Sequence, residues 1–158
     1  LNGLSIDLLI EIGVFFGTAL ASYMVAEMPE RKANEIELIA DVSATNFIAY
    51  RSAVQKYLQA NPTATGTVSD ANLVTSWAPG FQKNLPWTNM ISGDALYIYS
   101  TTNYPPNTLD RLKKKSPNFQ LLGTKNPNTG RLSSYSGFDT GIALPASIPA
   151  NALIMMGR

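Results

Sequence analysis

Apolar positions cluster at the start of the chain. Residues 8–26 read LLIEIGVFFGTALASYMVA, with Glu11 as the one charge. About 20 such residues, rising 1.5 Å each, cross a hydrocarbon core of roughly 30 Å. The run therefore predicts a transmembrane anchor over residues 1–27. Two rival readings are a cleaved signal peptide and a buried core helix. The first lacks a basic n-region, because no Lys or Arg precedes Arg31, and the apolar run is long for an h-region. The second asks a short chain to hide a uniformly apolar helix.

The pattern then turns amphipathic over residues 28–60. Pro29 lacks an N–H and crowds the turn before it, so it is expected to kink or restart the helix. Beyond it Ile36, Ala40, Ser43, Phe47, Tyr50, Val54 and Tyr57 recur at alternating steps of three and four. The other faces carry Glu35, Glu37, Asp41, Asn46, Arg51, Gln55 and Lys56. The stripe fits a helix packed on a domain core, and it also fits a seam for a partner helix. Asn61-Pro62 ends the run, since a residue before proline avoids the helical region.

From residue 61 the pattern shortens. Ser69 is placed to cap a brief helix over residues 70–77, stopped by Ala78-Pro79-Gly80. Residues 94–100 alternate as a strand around Leu96-Tyr97-Ile98-Tyr99. Tyr104-Pro105-Pro106 reads as a rigid loop and Thr108 as the cap of a helix over 109–115. Residues 118–123 and 131–136 read as a hairpin around Lys125-Asn126-Pro127-Asn128-Thr129-Gly130. Residues 141–144 and 152–156 add two strands. The expected fold is α+β: a long N-terminal membrane-spanning helix packed on a small antiparallel head of four or five strands, residues 61–158.

Charge refines this picture. The net charge is +1, but residues 1–60 carry seven acids against four bases, and residues 61–158 carry eight bases against four acids. An acidic stalk and a basic head attract each other at short range. The chain has neither Cys nor His. That removes disulfides, the usual general base, the Cys nucleophile and ordinary zinc sites. Ser52 with Lys56, and Lys115 with Ser116, bring serine and lysine together, but no oxyanion loop accompanies them. No phosphate-binding loop is present. No catalytic, cofactor or metal residues are assigned, and no nucleic-acid partner is expected.

Candidate interaction residues remain. A carboxylate within a membrane span is costly and usually paired. Glu11 lies one turn after Asp7, so the two share a face, suited either to a cation on a neighbouring chain or to the membrane interface. Arg111, Lys113, Lys114 and Lys115 form a basic run that fits an acidic protein face or lipid headgroups, or else a solvated helix end. Pro29, Ile36, Phe47 and Tyr50 complete the set, on the helix. Trp77, Phe81, Trp87, Tyr97 and Tyr99 fit the core or rim of the head.

Two resemblances follow from these residues. Leu9-Ile10-Glu11, the apolar run, Pro29 and a helix ending near Gln59 look like the N-terminal spine of type IV pilins. No Gly stands just before Asp7 or Leu8, where pilin processing would need one. The second rests on Ala44-Thr45-Asn46-Phe47-Ile48-Ala49-Tyr50-Arg51, Val54, Tyr57, Asn61-Pro62, Thr65-Gly66-Thr67-Val68-Ser69-Asp70 and Leu144-Pro145-Ala146-Ser147-Ile148-Pro149. These resemble the PilM family of type IVB (conjugative thin) pilus systems. That resemblance implies a non-enzymatic inner-membrane protein with a periplasmic head, docking other pilus or pilus-assembly proteins. The alternative is a pilin or minor pilin, extracellular in the filament, with homo-oligomer contacts through its N-terminal helix. Arg31 and Lys32 follow the apolar run, so the positive-inside rule taken alone would put the head in the cytoplasm.

Overall fold

The computed structural model describes residues 3–117 and 121–157, with side chains from residue 29 onward. The expected anchor, with Asp7 and Glu11, lies outside the described side chains. Among the described residues no helix is long and apolar enough to cross a membrane. The first compact unit, residues 1–37, is helical from Gly3 onward, and its residues 29–37, Ile36 included, are exposed.

Helix α1 runs Gly3–Ala60 and continues through Pro29, so the expected restart does not occur. A proline removes one i→i−4 hydrogen bond, and the turns on either side continue.

The second unit, Leu38–Arg158, holds the head. Its elements after α1 are α2 (Asp70–Leu73), a 3-10 turn (Val74–Ser76), β1 (Trp87–Ser92), β2 (Ala95–Ser100), α3 (Thr108–Lys115), β3 (Leu122–Lys125), β4 (Arg131–Ser134), β5 (Asp139–Ala143) and β6 (Leu153–Gly157). The strands form one antiparallel sheet of six, ordered β1-β2-β6-β3-β4-β5, rather than four or five. The additional strand is β1. Gly93, at φ 57, and Asp94 form the two-residue turn that joins it to β2, so Asp94 belongs to a hairpin turn and not to a strand. Strand β3 starts later than expected, at Leu122, while residues 118–120 lie outside the described residues. Thr108 opens α3 instead of capping it. Left-handed Asn107 precedes it, and the Thr108 hydroxyl donates to the Pro105 carbonyl at 2.6 Å.

Alternation along the strands buries both faces of the sheet. Leu96 and Ile98 of β2 and Leu153 and Met155 of β6 meet Ala44, Phe47, Tyr50 and Val54 of α1 in one cluster. Tyr97, Tyr99 and Ile154 face the other way, under Leu144, Ile148 and Ala152 of the C-terminal loop. Lys125 fastens that loop by donating to the carbonyls of Pro145 at 3.0 Å and Ile148 at 2.6 Å. Both clusters and all six strands lie within Leu38–Arg158, so this unit carries what it needs to fold without residues 1–37.

Both sheet edges are closed locally. On β1, Gly66 and Ile91 exchange backbone hydrogen bonds at 2.9 and 2.8 Å. On β5, the Asp139 carboxylate accepts from the Gly141 amide at 2.8 Å and the Thr140 hydroxyl accepts from the Ile142 amide at 3.3 Å.

Burial pushes the Tyr50 hydroxyl up to about 12, against the opposing effect of the hydrogen bond that Asn89 donates to it. An unfolded tyrosine titrates near 10. The neutral phenol is therefore the form that folding favours. Its stabilisation is complete below about pH 10 and is lost as pH rises towards 12. Urea midpoints of the head should fall over that interval, and less steeply in Tyr50→Phe. Parallel profiles for the two proteins would contradict this assignment.

Candidate functional site

Helix α1 carries two stripes within the head. The inner one begins at Ala40 and includes Ser43, Phe47, Tyr50 and Val54, all 3% exposed or less. Phe47 meets the Trp87 ring edge-on, with centroids 4.9 Å apart. Phe47 and Tyr50, expected as partner contacts, are thus core residues whose side chains offer no surface. Packing on the sheet accounts for the inner stripe from Ala40 onward.

The outer stripe starts at Leu38 and proceeds through Val42, Thr45 and Ala49, again at steps of four and three. Leu38 is 66% exposed, Ile39 45% and Val42 49%. Single exposed apolar residues are ordinary, but three on adjoining turns form a strip. Val42 borders a groove on each side. One, of about 420 Å³, runs between Val42, Thr45 and Ala49 and the loop at Gly80-Phe81-Gln82. The other, of about 290 Å³, lies against Leu85 and Pro105.

Asn46 sets that loop. Its amide nitrogen donates to the Gln82 carbonyl at 2.7 Å, and its oxygen accepts from the Trp87 indole at 3.0 Å and the Asn84 amide at 3.4 Å. Phe81 is held further by an edge contact with Trp77 at 5.4 Å. The groove walls are therefore built features, attached to the same turn of helix that supplies the floor. This arrangement suits an amphipathic helix laid into a hydrophobic groove.

The basic run is divided among three environments. Lys115 forms an ion pair with Asp41 of α1 at 3.0 Å, which ties α3 to the helix. Lys113 donates to the Pro117 carbonyl at 2.9 Å and sits 4.5 Å from the centre of the Tyr135 ring. Lys114 is exposed, and Arg111 is half-buried. Ile36 and Pro29 belong to the first unit. The serine–lysine juxtapositions are not assembled either: the Ser52 hydroxyl donates to the Ile48 carbonyl at 3.0 Å, and Lys115 is engaged by Asp41.

Sequence reading passed over Leu38, Ile39 and Val42, although the four-three spacing of the outer stripe was there to be counted. It also passed over Tyr135 and Phe138, exposed by 45% and 74%. No periodic signal marks these two, because they sit in a tight turn.

Comparison with known proteins places this architecture. No curated protein matches the chain. A crystal structure described as protein PilM from Escherichia coli B7A is similar, with 26% identity and a TM-score of 0.56, over 80% of this chain and 94% of that one. A second, described as pilM protein from Pseudomonas aeruginosa 2192, has 25% identity and a TM-score of 0.39, over 75% of this chain and 95% of that one. A family model described as PilM matches residues 15–156, which takes in α1 from Phe15 onward and the sheet as far as Met156, and the chain belongs to the PilM family.

Proposed function

We propose that this pilus-related protein is a non-enzymatic, membrane-anchored component of a type IVB pilus assembly apparatus. In this reading the apolar N-terminal run holds it in the inner membrane, the head lies in the periplasm, and other pilus proteins dock on the outer face of α1. The observation that carries the docking role is the strip of Leu38, Ile39 and Val42 between two grooves, on a helix whose opposite face is already buried.

Anchoring apolar side chains typically contribute about 1–2 kcal/mol each to such an interface, and 1.4 kcal/mol is a factor of ten in affinity. Leu38→Ser with Val42→Ser should therefore lower pilus assembly at least about tenfold. Both positions are exposed, so the melting of the head should stay within about 0.5 kcal/mol of wild type. Normal piliation by the double variant would remove the outer face of α1 from the docking role.

A long helix packed on an antiparallel sheet is also the architecture of a pilin, and this keeps a minor-pilin reading in view. Shearing pili from producing cells separates the two. Recovery with the filaments assigns a subunit; retention in the inner membrane assigns an assembly component.

A further inference from the structure

The turn between β4 and β5 holds an apolar side chain out in water. Gly137, at φ 85, donates its amide to the Ser134 carbonyl at 2.8 Å. The Ser134 amide donates to the Phe138 carbonyl at 2.8 Å, and the Phe138 amide to the Ser134 hydroxyl at 3.2 Å. Three local hydrogen bonds thus fix a turn whose last residue, Phe138, is 74% exposed, the largest value among the exposed large apolar residues of the described chain. Tyr135, in the same turn, is 45% exposed and lies beneath the Lys113 ammonium.

Charge around this turn is net positive. Lys113 is pinned over the Tyr135 ring, and Lys114 follows it, exposed, at the end of α3. The neighbouring acid, Asp139, lies 3.6 Å from Arg131 and also accepts from the Gly141 amide. Its charge is offset locally; exposed Asp110 stands one turn before the lysines on α3, and against that one acid the two lysines leave the patch positive. A projecting Phe, an amphipathic Tyr and two cations suit a planar anionic surface with an apolar layer beneath it. Aromatic rings settle at the headgroup level of a bilayer and lysines are drawn to anionic lipid. The grooves suited to a peptide or helix lie elsewhere, along α1.

We infer that the patch formed by Lys113, Lys114, Tyr135 and Phe138 docks the head on an anionic bilayer. This deepens the membrane-anchored reading and rests on it. Each lysine at such a surface raises binding only about fivefold, so the contact works when a tether already holds the head close.

The absence of cysteine allows a clean probe: Ser136→Cys, exposed at the tip of the turn, labelled with an environment-sensitive nitrobenzoxadiazole dye. A fragment of residues 33–158, which contains the whole second unit, is tethered by an N-terminal histidine tag to nickel-chelating lipid, which frees the test from the native anchor. On vesicles that are one-third phosphatidylglycerol the dye emission should rise severalfold, and on phosphatidylcholine alone it should not. Lys113→Gln with Lys114→Gln should return most of the rise to baseline, as should Phe138→Ser. Equal emission on both vesicle types, or emission indifferent to these variants, would overturn the inference. So would a rise with soluble polyglutamate and none on anionic vesicles, which would assign the patch to an acidic polypeptide. Failure of the anchor reading shows separately, as untagged chain of residues 1–158 that does not float with vesicles.

Discussion

Gly123→Ala is expected to prevent the head from folding. Gly123 sits in β3, between Ser134 of β4 and Ile154 of β6. A Cβ added there would lie 1.8 Å from the Ser133 carbonyl oxygen and 3.0 Å from the Ser134 Cα. Both are backbone atoms of a paired strand, so no rotamer change relieves the clash. Relief requires β4 to move away from β3, which breaks hydrogen bonds at the middle of the sheet. Substitutions that force backbone shifts in a packed interior cost about 1–3 kcal/mol and sometimes more. Here the overlap exceeds anything side-chain movement absorbs, and a loss above about 4 kcal/mol is expected. That is a large part of the 5–15 kcal/mol that holds an ordinary domain together. Circular dichroism and soluble yield measure it. A cooperative transition within a few degrees of wild type would show that β3 and β4 are not packed as described.

The second large effect is expected at Asn89. This side chain is fully buried in β1 and satisfies three groups at once. Its amide nitrogen donates to the Tyr50 hydroxyl at 2.9 Å and to the Val68 carbonyl at 2.8 Å, and its oxygen accepts from the Val68 amide at 2.8 Å. One residue thereby joins α1, the 61–69 connection and the sheet. Asn89→Ala leaves a phenol, an amide and a carbonyl buried together with fewer partners. Each orphaned group costs about 1–3 kcal/mol, so a total near 3–5 kcal/mol is expected. Tyr50→Phe removes one of the three bonds and should cost about 1 kcal/mol. The comparison is decisive through chemical denaturation of the head. Equal losses for the two variants would mean that Tyr50, rather than Asn89, organises the cluster.

These two residues also show where sequence reading stops. The stripe from Ala40 to Val54 is legible because a helix face imposes its period on every apolar letter, and the core confirms it from Ala40 inward. The alternation at Leu96-Tyr97-Ile98-Tyr99 is legible for the same reason, with Tyr97 and Tyr99 on the far face. Strand β1 was not legible. At its centre stands Asn89, a residue depleted in strands, and its burial depends on Val68 and Tyr50, both distant in sequence. Gly123 reads only as the last residue of an expected strand, and the closeness of Ser133 is what gives it meaning.

The candidate sites divide in the same way. A basic run is visible at residues 111–115, yet its division between Asp41, Tyr135 and solvent comes from tertiary contacts. Leu38 and Val42 are apolar letters like Phe47. What separates them is where the head's core covers the helix, and local periodicity does not record that boundary.

The closed edges of the sheet bear on how such a protein survives before it meets its partners. A raw edge is a template: any extended chain, including another copy's, is able to continue the ladder. Here the 61–69 connection occupies one border, and Asp139 and Thr140 consume amides on the other. Main-chain stacking, which ignores identity, is thereby discouraged. Recognition is left to side chains, which encode it. Copies of the head that meet are thereby offered side chains to match rather than main chain to extend.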